Sequence, residues 1–290
     1  MNHRAELARE LLGHLRSQRA AGVDYVSLGT PRETVPQAAH PATAPPARAP
    51  EPETAPNPEQ QALIPQAAPA PAPTLAPMAK RRDPGPEPPP LPFDPDADMS
   101  LDQLEAAVDG CLRCKLGPGR TNLVFGVGNP AANLVIVGEA PGANEDAEGI
   151  PFVGRAGQML TKMIENVIEV PRQEVYICNI LKCRPPGNRN PEPDEIDCCE
   201  PYLHKQLAII QPRLILALGK FAAQWLLQTK TPIGRLRGKF GRYQGIPCLS
   251  TYHPAYLLRN PRDKRLVLED LLKAKAVYHG EAEAEIELFR

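Results

Sequence analysis

The chain has 290 residues, a formal net charge of −1 and 36 prolines, of which 21 fall between Pro31 and Pro95. That charge excludes a protein held to nucleic acid by bulk positive charge, and the proline-rich third cannot bury enough apolar surface to offset its ordering entropy. Residues 1–20 carry no apolar run of leader or membrane-span length, so no membrane association is expected; seven cysteines without an export signal point to a reducing, cytoplasmic setting and metal ligation.

In chain order, Leu7, Leu11, Leu12 and Leu15 share a helical face, predicting an amphipathic helix within residues 1–20 that suits docking on a partner protein. Residues 21–98 alternate Ala, Pro, Glu and Gln and are predicted to be a disordered, semi-extended linker. Residues 99–280 are left to form one core, with 281–290 as an acidic tail. Leu101–Val108 reads as a helix capped by Ser100, with Gln103 three residues on. Four apolar runs read as strands: Asn133–Gly138, Val175–Ile180, Leu214–Gly219 and Ile246–Thr251. Between and after them, helical patterns cover Ala156–Val167, Glu192–Ile210, Phe221–Leu227 and Asp263–Val277. The alternation predicts an α/β fold, a parallel sheet covered by helices on both faces, with the site beyond the carboxyl ends of the strands.

Conspicuous residues fall at those ends. Gly138-Glu139-Ala140-Pro141-Gly142 follows the first strand and presents Glu139 on a tight loop; without a Gly-Lys-Ser/Thr ending it is not a P-loop. Phe152 lies in a loop before a helix, where it either plugs the core or offers a stacking face. Asn179, among apolar strand residues, needs partners from the backbone or from a ligand, and its amide offers a donor beside an acceptor. His253 follows the last strand, before a proline and a basic loop, where an imidazole N–H can stabilise a developing anion. Three cationic clusters, around Lys182, Arg184 and Arg189, around Arg235 to Arg242, and around Arg259 to Arg265, read either as solvated faces or as a phosphate-facing rim.

Cys111 and Cys114 form a C-x-x-C, and Cys183 and Cys199 follow at wide spacing among Lys, Arg and Pro. Four such thiolates hold either an iron–sulfur cluster or a zinc ion. Cys178 and Cys248 sit inside strands and read as core residues. Only one of Cys198 and Cys199 can face the metal, and Cys199 is taken.

Together these motifs resemble the family 4 uracil-DNA glycosylases, the iron–sulfur branch of their superfamily, from about Leu101 to Val277. The resemblance rests on the C-x-x-C, Gly126–Pro130, Gly138–Gly142, the run from Pro151 to Gln158, Asn179-Ile180, Lys182–Pro186 and His253–Arg259. It implies a three-layer α/β/α sandwich with a four-stranded parallel sheet, and a [4Fe–4S] cluster on Cys111, Cys114, Cys183 and Cys199. It also implies uracil held by Gly138, Glu139, Ala140, Phe152, Asn179 and His253. The amide of Asn179 matches O4 and N3–H of uracil and mismatches cytosine. The expected substrate is uracil-containing DNA, single- or double-stranded, met by a nucleoid-associated monomer. Arg184, Arg237 and Arg259 are expected to grip phosphates, and Leu257 or Leu258 to wedge into the vacated stack. His253 is the expected anion stabiliser and Glu139 the candidate water activator, with Glu145 and Asp146 in reserve. Related iron–sulfur enzymes that trap product covalently use a histidine in a loop matching Ile233–Tyr243; none stands here, so ordinary turnover is expected. The amino-terminal helix is expected to meet a replication or repair protein. A non-enzymatic DNA-binding metalloprotein and an electron carrier are the rival readings.

Overall fold

The computed structural model describes residues 88–289. The amino-terminal helix expected within residues 1–20 and most of the linker lie outside them. Residues 88–98 lie on the folded domain: Leu91 and Phe93 pack on its core, Arg113 Nε donates to Pro89 O (2.7 Å), and Lys205 Nζ donates to Pro95 O (2.8 Å). The folded part therefore begins before residue 99, because two apolar residues among the prolines find a core to cover.

The first helix, α1 (Leu101–Val108), begins as its sequence predicts. Ser100 Oγ accepts from Gln103 N (3.2 Å) and Gln103 Oε1 accepts from Ser100 N (2.8 Å), satisfying two end donors reciprocally. The chain continues through β1 (Val127–Gly128), β2 (Leu134–Gly138), α2 (Ala143–Glu148) and α3 (Gly154–Met163), which runs into a wider π-type turn over Ile164–Ile168. Then come β3 (Tyr176–Asn179), α4 (Pro193–Ile210), β4 (Leu214–Leu218) and α5 (Gly219–Leu226). A short α6 (Ile233–Leu236), β5 (Phe240–Tyr243), β6 (Ile246–Thr251), α7 (Pro254–Arg259) and α8 (Lys264–Tyr278) complete the described elements.

The sheet has six strands in the order β1-β3-β2-β4-β6-β5. Its four inner strands are parallel, as predicted, and the outer two pair antiparallel with β3 and β6, which corrects the count. Every residue of β2 and β4 is buried, the mark of strands covered on both faces. Alternate side chains go to opposite layers. Val135, Val137, Ile215 and Ala217 pack with residues of α1, α4 and α5; Leu134, Ile136, Leu214 and Leu216 pack with α3 and α8. The result is three layers.

The terminal segment is no loose tail. Glu287 N donates to Phe240 O (2.7 Å), Lys239 pairs with Glu287 (2.7 Å), and Phe289 packs against the core.

Candidate active site

The parallel strands end side by side, and each delivers one part of the site. Gly138 ends β2 and lies in register with Asn179, which ends β3. His253 follows β6, and Lys220 follows β4. Gly138 allows the approach: a Cβ there would stand 2.3 Å from Asn179 Oδ1 and 2.6 Å from Phe152 Cζ. The glycine, the amide and the ring thus meet at one point. Asn179 is 2% exposed, and its Oδ1 has no hydrogen-bond partner among the described residues. A buried amide oxygen left bare costs on the order of 1–3 kcal/mol, so the fold retains it at a loss unless a ligand donor meets it.

The Phe152 and His253 rings lie 5.4 Å apart, centroid to centroid, at 31°. His253 Nδ1 accepts from Ala255 N (3.2 Å) at the start of α7. That bond assigns the ring's proton to Nε2. Burial, with Arg259 adding to it, pushes the imidazole down to about 4, so at neutral pH it is an uncharged donor.

Three carboxylates were candidates to activate water, and the structure separates them. Glu145 Oε2 accepts from Gly142 N (3.1 Å) and closes the start of α2. Asp146 is buried and accepts from Thr121 N and Thr121 Oγ1, both at 2.9 Å. Glu139 has no hydrogen-bond donor among the described residues. Burial pushes its pKa up to about 6, while Lys220 pulls the other way. Ala140 is half-buried beside it. Lys220, exposed in the first turn of α5, has no sequence signal beyond adjacency to a strand end.

The expected DNA-facing residues divide. Arg259, Arg262 and Arg265 are exposed and Leu258 is half-exposed, all within twelve residues after His253, with Arg265 paired to Glu269 (3.5 Å). Arg184 is half-buried, with Nε on Asn188 Oδ1 (2.8 Å). Leu257, in contrast, is 1% exposed within the core, so it is no wedge. Arg237 is engaged by buried Asp270 through Nε (3.0 Å) and Nη2, and Nη2 also reaches Leu266 O (2.6 Å). Its Nε and Nη2 donors are thus committed inside the fold. Lys182, read as part of the rim, is fully buried, with Nζ on Asn179 O (2.8 Å) and Gln206 Oε1 (2.6 Å). Arg189 pairs with buried Glu195.

The cysteines converge as well. Cys111, Cys114, Cys183, Cys198 and Cys199 line one cleft with Lys182 and Tyr202, and all are free thiols. Cys199 Sγ accepts from Lys182 N (3.3 Å) and Cys183 Sγ from Arg120 Nη1 (3.6 Å), contacts that suit anionic sulfur. Cys198 Sγ instead donates to Arg113 O (3.4 Å). Among the described residues, no three His, Cys, Asp or Glu side chains are close enough to hold one metal ion. Cys178 and Cys248 are fully buried in strands, as expected.

A family model described as the uracil DNA glycosylase superfamily matches residues 125–273. A type-4 uracil-DNA glycosylase of Sulfurisphaera tokodaii is 44% identical over 184 residues, covering 61% of this chain and 84% of the relative. The chain belongs to the uracil DNA glycosylase superfamily. Its type-4 branch is indicated by two further relatives of that name. The one from Saccharolobus solfataricus is 43% identical over 61% of this chain and 85% of its own length. The one from Thermotoga maritima is 44% identical over 58% of this chain and 90% of its own length. Within the superfamily match lie Gly138, Glu139, Phe152, Asn179 and His253, the residues that the strand ends bring together.

Proposed function

We propose that the chain is a monofunctional uracil-DNA glycosylase that hydrolyses the N-glycosidic bond of deoxyuridine, releases uracil and leaves an abasic site for base excision repair. The observation that carries this reading is the bare, buried Oδ1 of Asn179 beside Gly138 and Phe152. Uracil N3–H supplies the missing donor, and the amide NH2 serves O4. Cytosine, with an acceptor at N3, leaves Oδ1 unmet.

The target C1′ is hidden in duplex DNA, so the nucleotide is rotated out of the stack or taken from a single strand. Phe152 supplies the face on which the base rests. Leu258, partly exposed beside His253, is the side chain placed to fill the gap left in the stack, and Arg259 and Arg262 hold flanking phosphates. As the glycosidic bond breaks, positive charge develops on the sugar and negative charge on the base. His253 Nε2–H, neutral and fixed by its Nδ1 bond, donates to O2 of the departing uracil. Fixed donors of this kind contribute about 3–4 kcal/mol each. Glu139, ionised above about pH 6, orients the water that completes the sugar.

We further propose that Cys111, Cys114, Cys183 and Cys199 hold a [4Fe–4S] cluster. Five free thiols line one cleft; Cys183 Sγ and Cys199 Sγ accept N–H donors while Cys198 Sγ donates to Arg113 O, which leaves Cys111, Cys114, Cys183 and Cys199 as a four-thiolate set of the kind that holds an iron–sulfur cluster. When bound, the cluster ties the loop before β1 to the start of α4, a structural service. Acting as a monomer in the cytoplasm, associated with the nucleoid, goes with this substrate. Among the described residues no helix is long and apolar enough to cross a membrane.

The test is incubation of the purified, cluster-loaded protein with a deoxyuridine oligonucleotide, followed by alkali and by assay of free uracil. Strand scission with stoichiometric uracil is expected. Tight binding without scission would transfer the chain to the rival class of non-enzymatic DNA-binding metalloproteins.

A further inference from the structure

We propose that Arg172 is a positioning residue for the reaction: it locks the backbone of Phe152 and so sets the ring against which the base is held. The inference rests on Phe152 being the base platform. Phe152 has φ +54°, a left-handed conformation that a bulky side chain keeps only where its surroundings over-determine it.

Those surroundings are specific. Arg172 Nη2 donates to Phe152 O (3.0 Å) and to Pro151 O (3.2 Å). Its Nη1 donates to Thr161 Oγ1 (3.0 Å), which in turn donates to Gly157 O (3.1 Å) on α3. From the other side the helix closes on the same carbonyl: a Cβ on Gly157 would lie 1.8 Å from Phe152 O. The peptide is therefore held between a guanidinium fork and a bare helix backbone. Turning it would swing the ring, whose Cζ reaches Gly138 and whose centroid faces His253.

Arg172 stands in the short turn Arg172–Glu174, directly before β3. The strand that ends in the base reader Asn179 thus starts beside the clamp on the platform. The guanidinium is half-buried, and its three side-chain bonds go to two carbonyls and a hydroxyl. The nearest carboxylate, Glu165, accepts from the Arg172 backbone N instead (3.4 Å). Burial lowers the Arg172 pKa, the mark of a charge held out of water. One arm of the planar fork, Nη2, spans two adjacent carbonyls while the other, Nη1, reaches the Thr161 hydroxyl, a spread of donors that a single ammonium reproduces only in part.

The experiment compares full-length, cluster-loaded wild type, Arg172→Met, Arg172→Lys and Phe152→Ala. Single-turnover uracil release is measured beside affinity for an abasic-site oligonucleotide and the thermal midpoint. Misplacing a bound reactant by an ångström costs about 10²-fold, and that is the expected loss of rate in Arg172→Met, with abasic-site affinity retained. Arg172→Lys should fall between, since one ammonium reaches one carbonyl. A wild-type rate in Arg172→Met, or a loss of rate matched by loss of abasic-site affinity, overturns the proposal. Should Arg172→Met fail to fold, Arg172→Lys decides alone: a wild-type rate overturns, and a reduced rate with intact abasic-site affinity supports. Phe152→Ala separates the two layers. If it excises at the wild-type rate, the platform reading fails; if it is slow while Arg172→Met is not, only the role of Arg172 fails.

Discussion

The proposed base pocket and the proposed DNA-facing rim are held in different ways. The pocket hangs on strand ends: Gly138 and Asn179 are in ladder register, and Ile180 N and Leu181 N extend the pairing to Gly138 O and Glu139 O (both 3.1 Å). Its polar groups are few, and the buried Oδ1 of Asn179 has no partner among the described residues. The rim hangs on α7 and loops, and the fold claims many of its cations for itself. Lys182, Arg189 and Arg237 all turn inward to protein acceptors, leaving Arg259, Arg262 and Arg265 exposed. The difference teaches that a bare amide in a strand is stronger evidence of a ligand than a run of cations. An amide unsatisfied by the fold has few explanations, whereas a cation finds carboxylates and carbonyls everywhere.

That contrast can be broken at its strongest point first. His253→Ala should cut single-turnover excision by about 10²–10³-fold while the fold persists, the usual loss for one fixed donor at a developing anion. An unchanged rate would remove His253 from the chemistry. Next comes the inward cation. Arg237→Ala should lower stability by about 3 kcal/mol in a denaturant titration, because it leaves the buried Asp270 carboxylate with the Thr251 hydroxyl but without its cation. Its binding should keep the wild-type salt dependence. Arg259→Ala should do the reverse, with near-native stability and a log–log salt slope shallower by about 1. Exchanged outcomes for this pair would restore Arg237 to the rim.

Asn179→Asp should raise excision of cytosine relative to uracil, read as a ratio of single-turnover rates, since a protonated carboxyl can donate where the amide oxygen accepts. An unaltered ratio would mean that another group reads the base. The smallest effect concerns pH. With Glu139 raised to about 6 by burial, its carboxylate is present above that pH and lost below it. The rate should therefore fall as pH drops through about 6, and the limb should vanish in Glu139→Gln. His253, neutral above about 4, adds no limb in that range. Lys220→Met should move the Glu139 limb toward higher pH, since the ammonium holds that pKa down.

Much of this architecture is legible along the chain because it is local or periodic. The central strands β2 and β4 announce themselves as unbroken apolar runs, and the Ser100/Gln103 pair announces α1. The strand-end residues follow from the rule that α/β sites lie beyond carboxyl ends. What stayed hidden depends on distant partners. β1 is two residues long and exposed, so it has no pattern to detect. β5 contains Gly241 and joins β6 through Gln244-Gly245, both at positive φ, a hairpin turn written without the usual Asn or Asp. The burial of Lys182 is set by Gln206, and the capture of Arg237 by Asp270, each far along the chain. Nor does spacing reveal that Leu257, rather than Leu258, faces the core, since α7 is too short to show a period.

Uracil itself, bound to the protein and seen in a crystal, tests the pocket most directly. The account predicts the ring resting on Phe152, N3–H donating to Asn179 Oδ1 at about 2.9 Å, and O2 within reach of His253 Nε2. Uracil seated elsewhere, or Asn179 Oδ1 found bonded to the protein's own donors while the base lies apart from it, would contradict it.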